Sequence, residues 1–256
     1  MVKDKSSYIV QSVEKALDIL VTLTEETTYA TLPFLAEKLG ISRNKTFRLL
    51  ATLENRGLVE REEGSGVYRL GLPTVELAQK FINSTSLVRY AHPVMEGLAR
   101  KHDEAVYITV LKGEEVLFLD MVDCGQQVKA APFVGKRFPF FTNAAGKVIK
   151  ALESRDLLEK LFKRGRNRQR LPDLATLETE LNKIREKGVA VDSGGLGDGV
   201  ITVAVAVKDY AGKVIGALTM IGPSFRMMTD RLENEIVPSL VEGAEMLSMK
   251  FGYARM

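Results

Sequence analysis

Leu35-Ala36-Glu37-Lys38-Leu39-Gly40-Ile41-Ser42-Arg43-Asn44-Lys45-Thr46-Phe47-Arg48-Leu49-Leu50 reads as two helices separated by three residues. Thr31 can cap the first of them, and Pro33 falls in its first turn, where a missing N–H costs nothing. Gly40 is a natural stop after Leu39. Ser42 restarts the chain as an N-cap, and the spacing predicts a helix from Arg43 to about Arg56, with Thr46, Leu49, Leu50 and Leu53 on one face and Gly57 as its end.

Upstream, Ser12 is a good N-cap residue, followed by Val13, Ala16, Leu17, Leu20 and Leu23 at helical spacing. Downstream, Leu58 to Arg61 and Val67 to Leu70 flank Gly64-Ser65-Gly66 as a two-stranded hairpin. Helix, helix, turn, helix and hairpin make a winged helix-turn-helix, expected over residues 1–74. In such a unit the second helix of the pair enters the major groove with its first residues. Arg43 and Arg48 suit guanine or phosphate, Asn44 suits adenine, and Ser42, Lys45 and Thr46 suit phosphates or base edges. Tyr68 and Arg69 of the wing complete the candidate DNA-contacting set. A short basic helix start can also be no more than a solvated face, and the helix-turn-helix spacing with its wing decides against that.

Beyond Pro73 a helical stretch through Val75, Leu77, Ala78 and Phe81 leads to Ser84-Thr85-Ser86, read as a linker helix and hinge over residues 75–86. From Glu104 the period changes to two: Val106, Ile108 and Val110 alternate with their neighbours, Lys112-Gly113 turns, and Val116 to Val122 returns. Val200 to Val207 and Val214 to Ile221 form a second pair. Helical segments lie at Leu87 to His102, Ala144 to Leu152, Asp156 to Phe162 and Leu174 to Lys187. A last helix opens on Asp230 and Glu233, spaced as a capping box. Residues 87–256 are therefore expected to be an α+β domain with a largely antiparallel sheet.

Composition narrows the function classes. The 256 residues are 45% hydrophobic and 27% charged, as in ordinary globular chains, and no apolar run approaches the ~18 residues of a membrane helix. Met1 to Ser7 leads into no apolar segment, so a cytoplasmic protein is expected. One cysteine, Cys124, and two histidines, His92 and His102, argue against disulfides, metal sites and cofactors held by such ligands. The net charge of +3 is too small to announce a nucleic-acid partner by itself. Local clusters carry that argument: Arg43, Lys45 and Arg48, and separately Lys163, Arg164, Arg166, Arg168 and Arg170, the latter read as a solvated surface.

Thr142-Asn143-Ala144-Ala145-Gly146-Lys147 is a candidate ligand site on physical grounds. Thr142 or Asn143 can cap the helix, and the small residues after them let an anion approach the free N–H groups of the first turn. A capped helix whose alanines pack on the sheet is the plainer alternative.

Ser12 to Leu20, Leu35 to Ser42, Arg48 to Glu54 and Tyr68-Arg69-Leu70-Gly71 together resemble the IclR family of bacterial transcriptional regulators. The likeness continues through Gly135 with Pro139, Ala144-Ala145-Gly146-Lys147, Gly188-Val189-Ala190-Val191-Asp192 and Gly222-Pro223, covering nearly the whole chain. The resemblance implies a winged helix, a linker helix and a C-terminal effector-binding domain of GAF/PAS-like fold. It also implies a homodimer or a tetramer of paired dimers on a partly palindromic double-stranded operator. By resemblance, Ala144, Ala145, Asp192, Thr202 and Thr219 line the effector pocket.

The chain departs from the family pattern where Thr202 replaces a common cysteine and Ala206 a common proline. Gly194-Gly195 stands where acids are usual, Phe140-Phe141 replaces a Leu-His pair, and Ile221 occupies an often polar position. Phe140, Phe141, Asn143 and Ile221 therefore join the candidate site, and the pocket is expected to favour an aromatic or medium-sized organic acid. The expected protein is a non-enzymatic, ligand-responsive regulator of a catabolic operon, with repression favoured over activation.

Rival motifs fail on context. Gly194 to Gly199 precedes a strand rather than opening a helix, so it is a loop and not a dinucleotide site. Gly146-Lys147 lacks the upstream glycine of a phosphate loop. Cys124 and His102 have no supporting catalytic motif. An enzyme using the winged helix for assembly, or a module binding another protein through it, are the alternatives, distinguishable by product formation and by the absence of a DNA footprint.

Overall fold

The computed structural model describes residues 9–26, 28–84, 86–153 and 173–254, in two compact units that part between Ser84 and Thr85. The expected helix Asp156 to Phe162 and the Lys163 to Arg170 cluster lie outside the described residues.

The first unit holds α1 (Gln11–Glu25), α2 (Leu32–Lys38), α3 (Arg43–Asn55), the strands β1 (Val59–Arg61) and β2 (Tyr68–Leu70), and α4 (Leu72–Ser84). β1 and β2 pair antiparallel, with Glu60 opposite Arg69. The core is formed by Ile19 and Leu23 of α1, Leu35 of α2, Leu50 and Leu53 of α3, and Val59, Val67 and Tyr68 of the wing. Gly40, at φ +62°, makes the turn between α2 and α3 in a backbone region a side chain would strain. Two expected caps differ. α1 begins one residue before Ser12, with Val10 at the N-cap and no side-chain bond, and Thr31 precedes α2 without capping it.

The second unit is a six-stranded antiparallel sheet in the order β5-β4-β3-β8-β7-β6. Its strands are β3 (Ala105–Lys112), β4 (Glu115–Val122), β5 (Arg137–Pro139), β6 (Val189–Ser193), β7 (Val200–Lys208) and β8 (Val214–Pro223). The central β3–β8 pairing joins the two hairpins the alternating pattern predicts, with Tyr107 opposite Thr219. Period two divides the sheet into two buried faces. Val106, Ile108, Val203, Val205, Leu218 and Met220 form one, toward α5 (Ser86–His102) and the C-terminal α8 (Val237–Lys250). Ala105, Tyr107, Phe118, Ala204, Ala217 and Ile221 form the other, packed with α6 (Ala144–Leu152) and α7 (Leu174–Lys187).

The capping box expected at Asp230 and Glu233 does not form: Met228 is the N-cap without a side-chain bond, and Asp230 accepts from Asn234 instead. The chain passes through a π turn, Leu232–Ile236, before α8. Glu104, 1% exposed, ties this corner together by accepting from Arg226 at 2.7 and 2.8 Å and from Arg231 at 3.1 Å. That pairing also holds the Arg226 pKa above its ordinary value.

Candidate functional sites for DNA and effector

Ser42 caps α3 by accepting from the Lys45 N–H at 3.3 Å. The helix buries Thr46, Leu50 and Leu53, which leaves Arg43, Asn44, Phe47, Arg48, Ala51 and Thr52 on the solvent face. Four of the expected DNA-contacting residues, Ser42, Arg43, Asn44 and Arg48, are thus open to solvent, and Lys45 is half-buried. Two are not open. Thr46 is fully buried and donates its hydroxyl to the Ser42 carbonyl at 3.1 Å, because it falls on the core side of the helix. Tyr68 is 3% exposed and belongs to the unit's core, with Arg61 over its ring at 5.9 Å. Arg69 is exposed and pairs with Glu62 at 3.0 Å across the wing.

The second site is assembled at the start of α6. Asn143, not Thr142, is the N-cap: its side-chain oxygen accepts from Gly146 N–H at 2.9 Å, while Thr142 donates to the Pro139 carbonyl. Phe140 and Phe141 lead into the helix as an edge-to-face pair, 5.5 Å between ring centres. A Cβ on Gly146 would lie 2.2 Å from the Phe140 carbonyl oxygen, so glycine is what lets this approach exist.

On the sheet below, Thr202 stands opposite both Asp192 of β6 and Ile221 of β8, and Thr219 stands opposite Ala204. The expected residues therefore converge on one face of β6–β7–β8 beneath the helix start. The N–H expected to be free at Ala144 is taken, since it donates to the Thr202 hydroxyl at 3.3 Å. Among the described residues, Ala145 keeps the one N–H of the turn without a partner. Asp192 is engaged at both oxygens: Oδ2 accepts from Lys147 Nζ at 2.5 Å and Oδ1 from the Gly195 N–H at 3.1 Å. Lys147 also donates to Glu180 of α7 at 2.9 Å. Burial opposes the lysine charge, but these carboxylates outweigh it and hold the ammonium pKa above its usual value.

Sequence reasoning missed two residues of this neighbourhood, Lys147 as an ion-pair partner of Asp192 and Tyr107 beside the expected Thr219. Lys147 belongs to the candidate ligand stretch and to the family motif but is given no role of its own there, and its i+3 position after the buried Ala144 is the signal that places it inward. Tyr107 and Thr219 are adjacent on β3 and β8, both buried, and the Thr219 hydroxyl has no hydrogen-bond partner among the described residues. Burial pushes the Tyr107 pKa up to about 12, the Phe133 N–H opposing this, so the phenol stays neutral. Around it Phe118, Phe133 and Phe138 pack at 5.4–5.7 Å from one another. Alternation marks these residues as buried but cannot show that a hydroxyl is left unpaired.

A winged helix-turn-helix on the same chain as an α+β unit of this kind defines a DNA-binding transcriptional regulator with an effector domain. The chain belongs to the IclR family: "Bacterial transcriptional regulator IclR C-terminal" matches residues 79–249, and the "IclR helix-turn-helix domain" matches residues 12–63. The HTH-type transcriptional regulator KdgR of Escherichia coli K12 is 29% identical over 255 residues, covering 98% of this chain and 96% of its own. The HTH-type transcriptional repressor AllR of Klebsiella pneumoniae is 25% identical, over 88% of this chain and 84% of its own.

Among solved structures, an IclR transcriptional regulator from Alicyclobacillus acidocaldarius superposes with a TM-score of 0.82 at 26% identity, over 94% of this chain and 99% of its own. An IclR homolog from Microbacterium hydrocarbonoxydans, complexed with 4-hydroxybenzoate, superposes with a TM-score of 0.77 at 21% identity, over 95% of this chain and all of its own. No helix among the described residues is long and apolar enough to cross a membrane.

Proposed function

We propose that this regulator is a repressor of a catabolic operon, released from its operator by a small organic acid, aromatic in preference to a two- or three-carbon acid, held at the start of α6. The observation that carries this reading is the unspent polarity of that site. The Ala145 N–H and the Thr219 hydroxyl lack partners beside a cluster that is mainly aliphatic and aromatic, with Phe140, Ala144, Ala145, Ala204 and Ile221 among its members. Buried polar groups without partners are few in native proteins, and a ligand or water is the common explanation. An acid carboxylate would accept from both, while Phe140, Phe141 and Ile221 favour an apolar body.

Complexation of a related fold with 4-hydroxybenzoate agrees with this ligand class, and AllR, a relative, is a transcriptional repressor, in agreement with the sign of regulation. Asp192, already bonded to Lys147 and Gly195, serves to shape the wall rather than to supply the main anchor. Binding as a homodimer, or as two paired dimers, follows from the need of one winged helix for more phosphate contacts than a single half-site offers.

Isothermal titration with 4-hydroxybenzoate, benzoate and a three-carbon keto acid, beside gel shifts on DNA selected in vitro, tests this. The aromatic acids should bind and release DNA. Ala145→Leu and Thr219→Val, each checked for folding by thermal melting, should lose that response while still binding DNA. Full ligand affinity in both variants would place the pocket elsewhere.

A further inference from the structure

The exposed part of α3 carries one large apolar side chain that its charge pattern does not explain. Phe47 lies one turn after Arg43, beside Arg48, and is 55% exposed. The unit's hydrophobic core does not include it. One side of the ring borders a surface cleft shared with Pro33 at the start of α2 and with Arg61, Ser65 and Gly66 of the wing.

The partner of this face is specified by charge. Arg43 and Arg48 stand on the exposed side of α3, Lys45 lies at its margin, and no acidic residue occurs from Ser42 to Leu53. A polyanion therefore fits, and in a helix-turn-helix that polyanion is duplex DNA. The major groove offers one apolar feature to a phenyl ring, the 5-methyl group of thymine.

We propose that Phe47 reads a thymine methyl in the major groove. Each half-site then carries a position where thymine is chosen for its methyl group, while Arg43, Asn44 and Arg48 supply the hydrogen-bonding contacts around it. Ala51, one turn further on the same face, leaves the ring room to approach the base edge. The proposal rests on α3 being the recognition helix, and its test separates the two statements.

The experiment uses the full chain and duplexes selected in vitro, with each thymine replaced in turn by uracil, which removes the methyl and keeps every hydrogen-bonding atom. Fluorescence anisotropy at fixed salt should show one uracil position per half-site that weakens the natural chain by about 3–5-fold, the loss of one buried methyl. Phe47→Ala should bind the thymine duplex more weakly and show no further loss at that position. Phe47→Leu, retaining an apolar tip, should keep part of the methyl preference and serves as the second variant. Thermal melting should be unchanged in both, since the ring is exposed.

An undiminished uracil penalty in Phe47→Ala and Phe47→Leu overturns the proposal, as does a natural chain indifferent to every uracil. If Arg43→Ala and Arg48→Ala also bind normally, the reading of α3 itself falls. If they fail to bind while the uracil penalty is indifferent to Phe47, only the methyl contact falls.

Discussion

The two helix starts in this molecule have the same outline and opposite surroundings. α3 and α6 each begin on a short polar N-cap, Ser42 or Asn143, that accepts from the N–H three residues on. Each carries lysine in its first turn. At α3 the turn faces solvent, and Arg43, Asn44 and Arg48 spread from it. At α6 every residue from Ala144 to Ala151 is buried, and the lysine is clamped between Asp192 and Glu180. A helix N-terminus favours anions in either case. Exposure sets what each could meet: the open turn is accessible to a long, hydrated phosphate backbone, and the closed one only to a small molecule able to shed its water.

Replacing the two lysines gives the sharpest contrast. Lys147→Ala should destabilise the effector unit by about 3 kcal/mol, because removing one member of a buried pair strands the Asp192 carboxylate. Lys45→Ala should change stability by less than about 0.5 kcal/mol, as an ordinary surface substitution does. Denaturant melts of the full chain, followed by probes in each unit, measure both. Equal effects would erase the distinction between open and closed helix starts.

Next in size are the arginines of the open turn. Arg43→Ala and Arg48→Ala should each weaken operator binding by about 1–3 kcal/mol if they contact a base or a desolvated phosphate. Thermal stability and effector affinity should stay as they were. Gel shifts at constant salt, beside titration calorimetry, check this, and unchanged affinity in both variants would remove α3 from the DNA.

Most of the fold was readable because its signals are local. Gly40 and Ser42 bound the helix-turn-helix, alternation marks β3, β4, β7 and β8, and the Val189 to Ser193 stretch, known first only as a family motif, proves to be the edge strand β6. The site was less readable, since it depends on groups far apart in the chain. Ala144 meets Thr202 across 58 positions and Lys147 meets Asp192 across 45. Tyr68 carries the right chemistry for DNA on the wrong side of its strand, which residue type alone cannot report, whereas Thr46 shares the helical spacing of Leu50 and Leu53 and its burial was legible against its assignment to DNA. Phe47 shows the reverse, an apolar residue that stays on the surface.

The caps give a smaller contrast. Ser42→Ala should cost about 1 kcal/mol, because water can replace the lost acceptor at an exposed turn. Asn143→Ala should cost about 2 kcal/mol, since the Gly146 N–H would be left unpaired inside the unit. Chemical denaturation of the two variants measures the difference. Equal costs would mean that solvent reaches the start of α6.

Acidification should produce the smallest effect, and it should fall on one unit. The chain has two histidines, His92 and His102, and both lie in the effector unit. His102 is buried at the end of α5, and its pKa is lowered, first by desolvation and then by Lys101 and Arg231, with Glu235 and Glu104 opposing. A depressed histidine pKa means that the unfolded chain takes up the proton first. Stability is therefore lost as pH falls below about 6.5, the ordinary histidine value, and the loss stops once the folded state also protonates. One such group cannot give a slope steeper than about 1.4 kcal/mol per pH unit. His102→Gln should flatten the stability profile of the effector unit between pH 7 and 5.5, while the winged-helix unit, free of histidine, shows the same profile with or without the substitution. A profile unchanged by His102→Gln would mean that this ring titrates alike in the folded and unfolded chain.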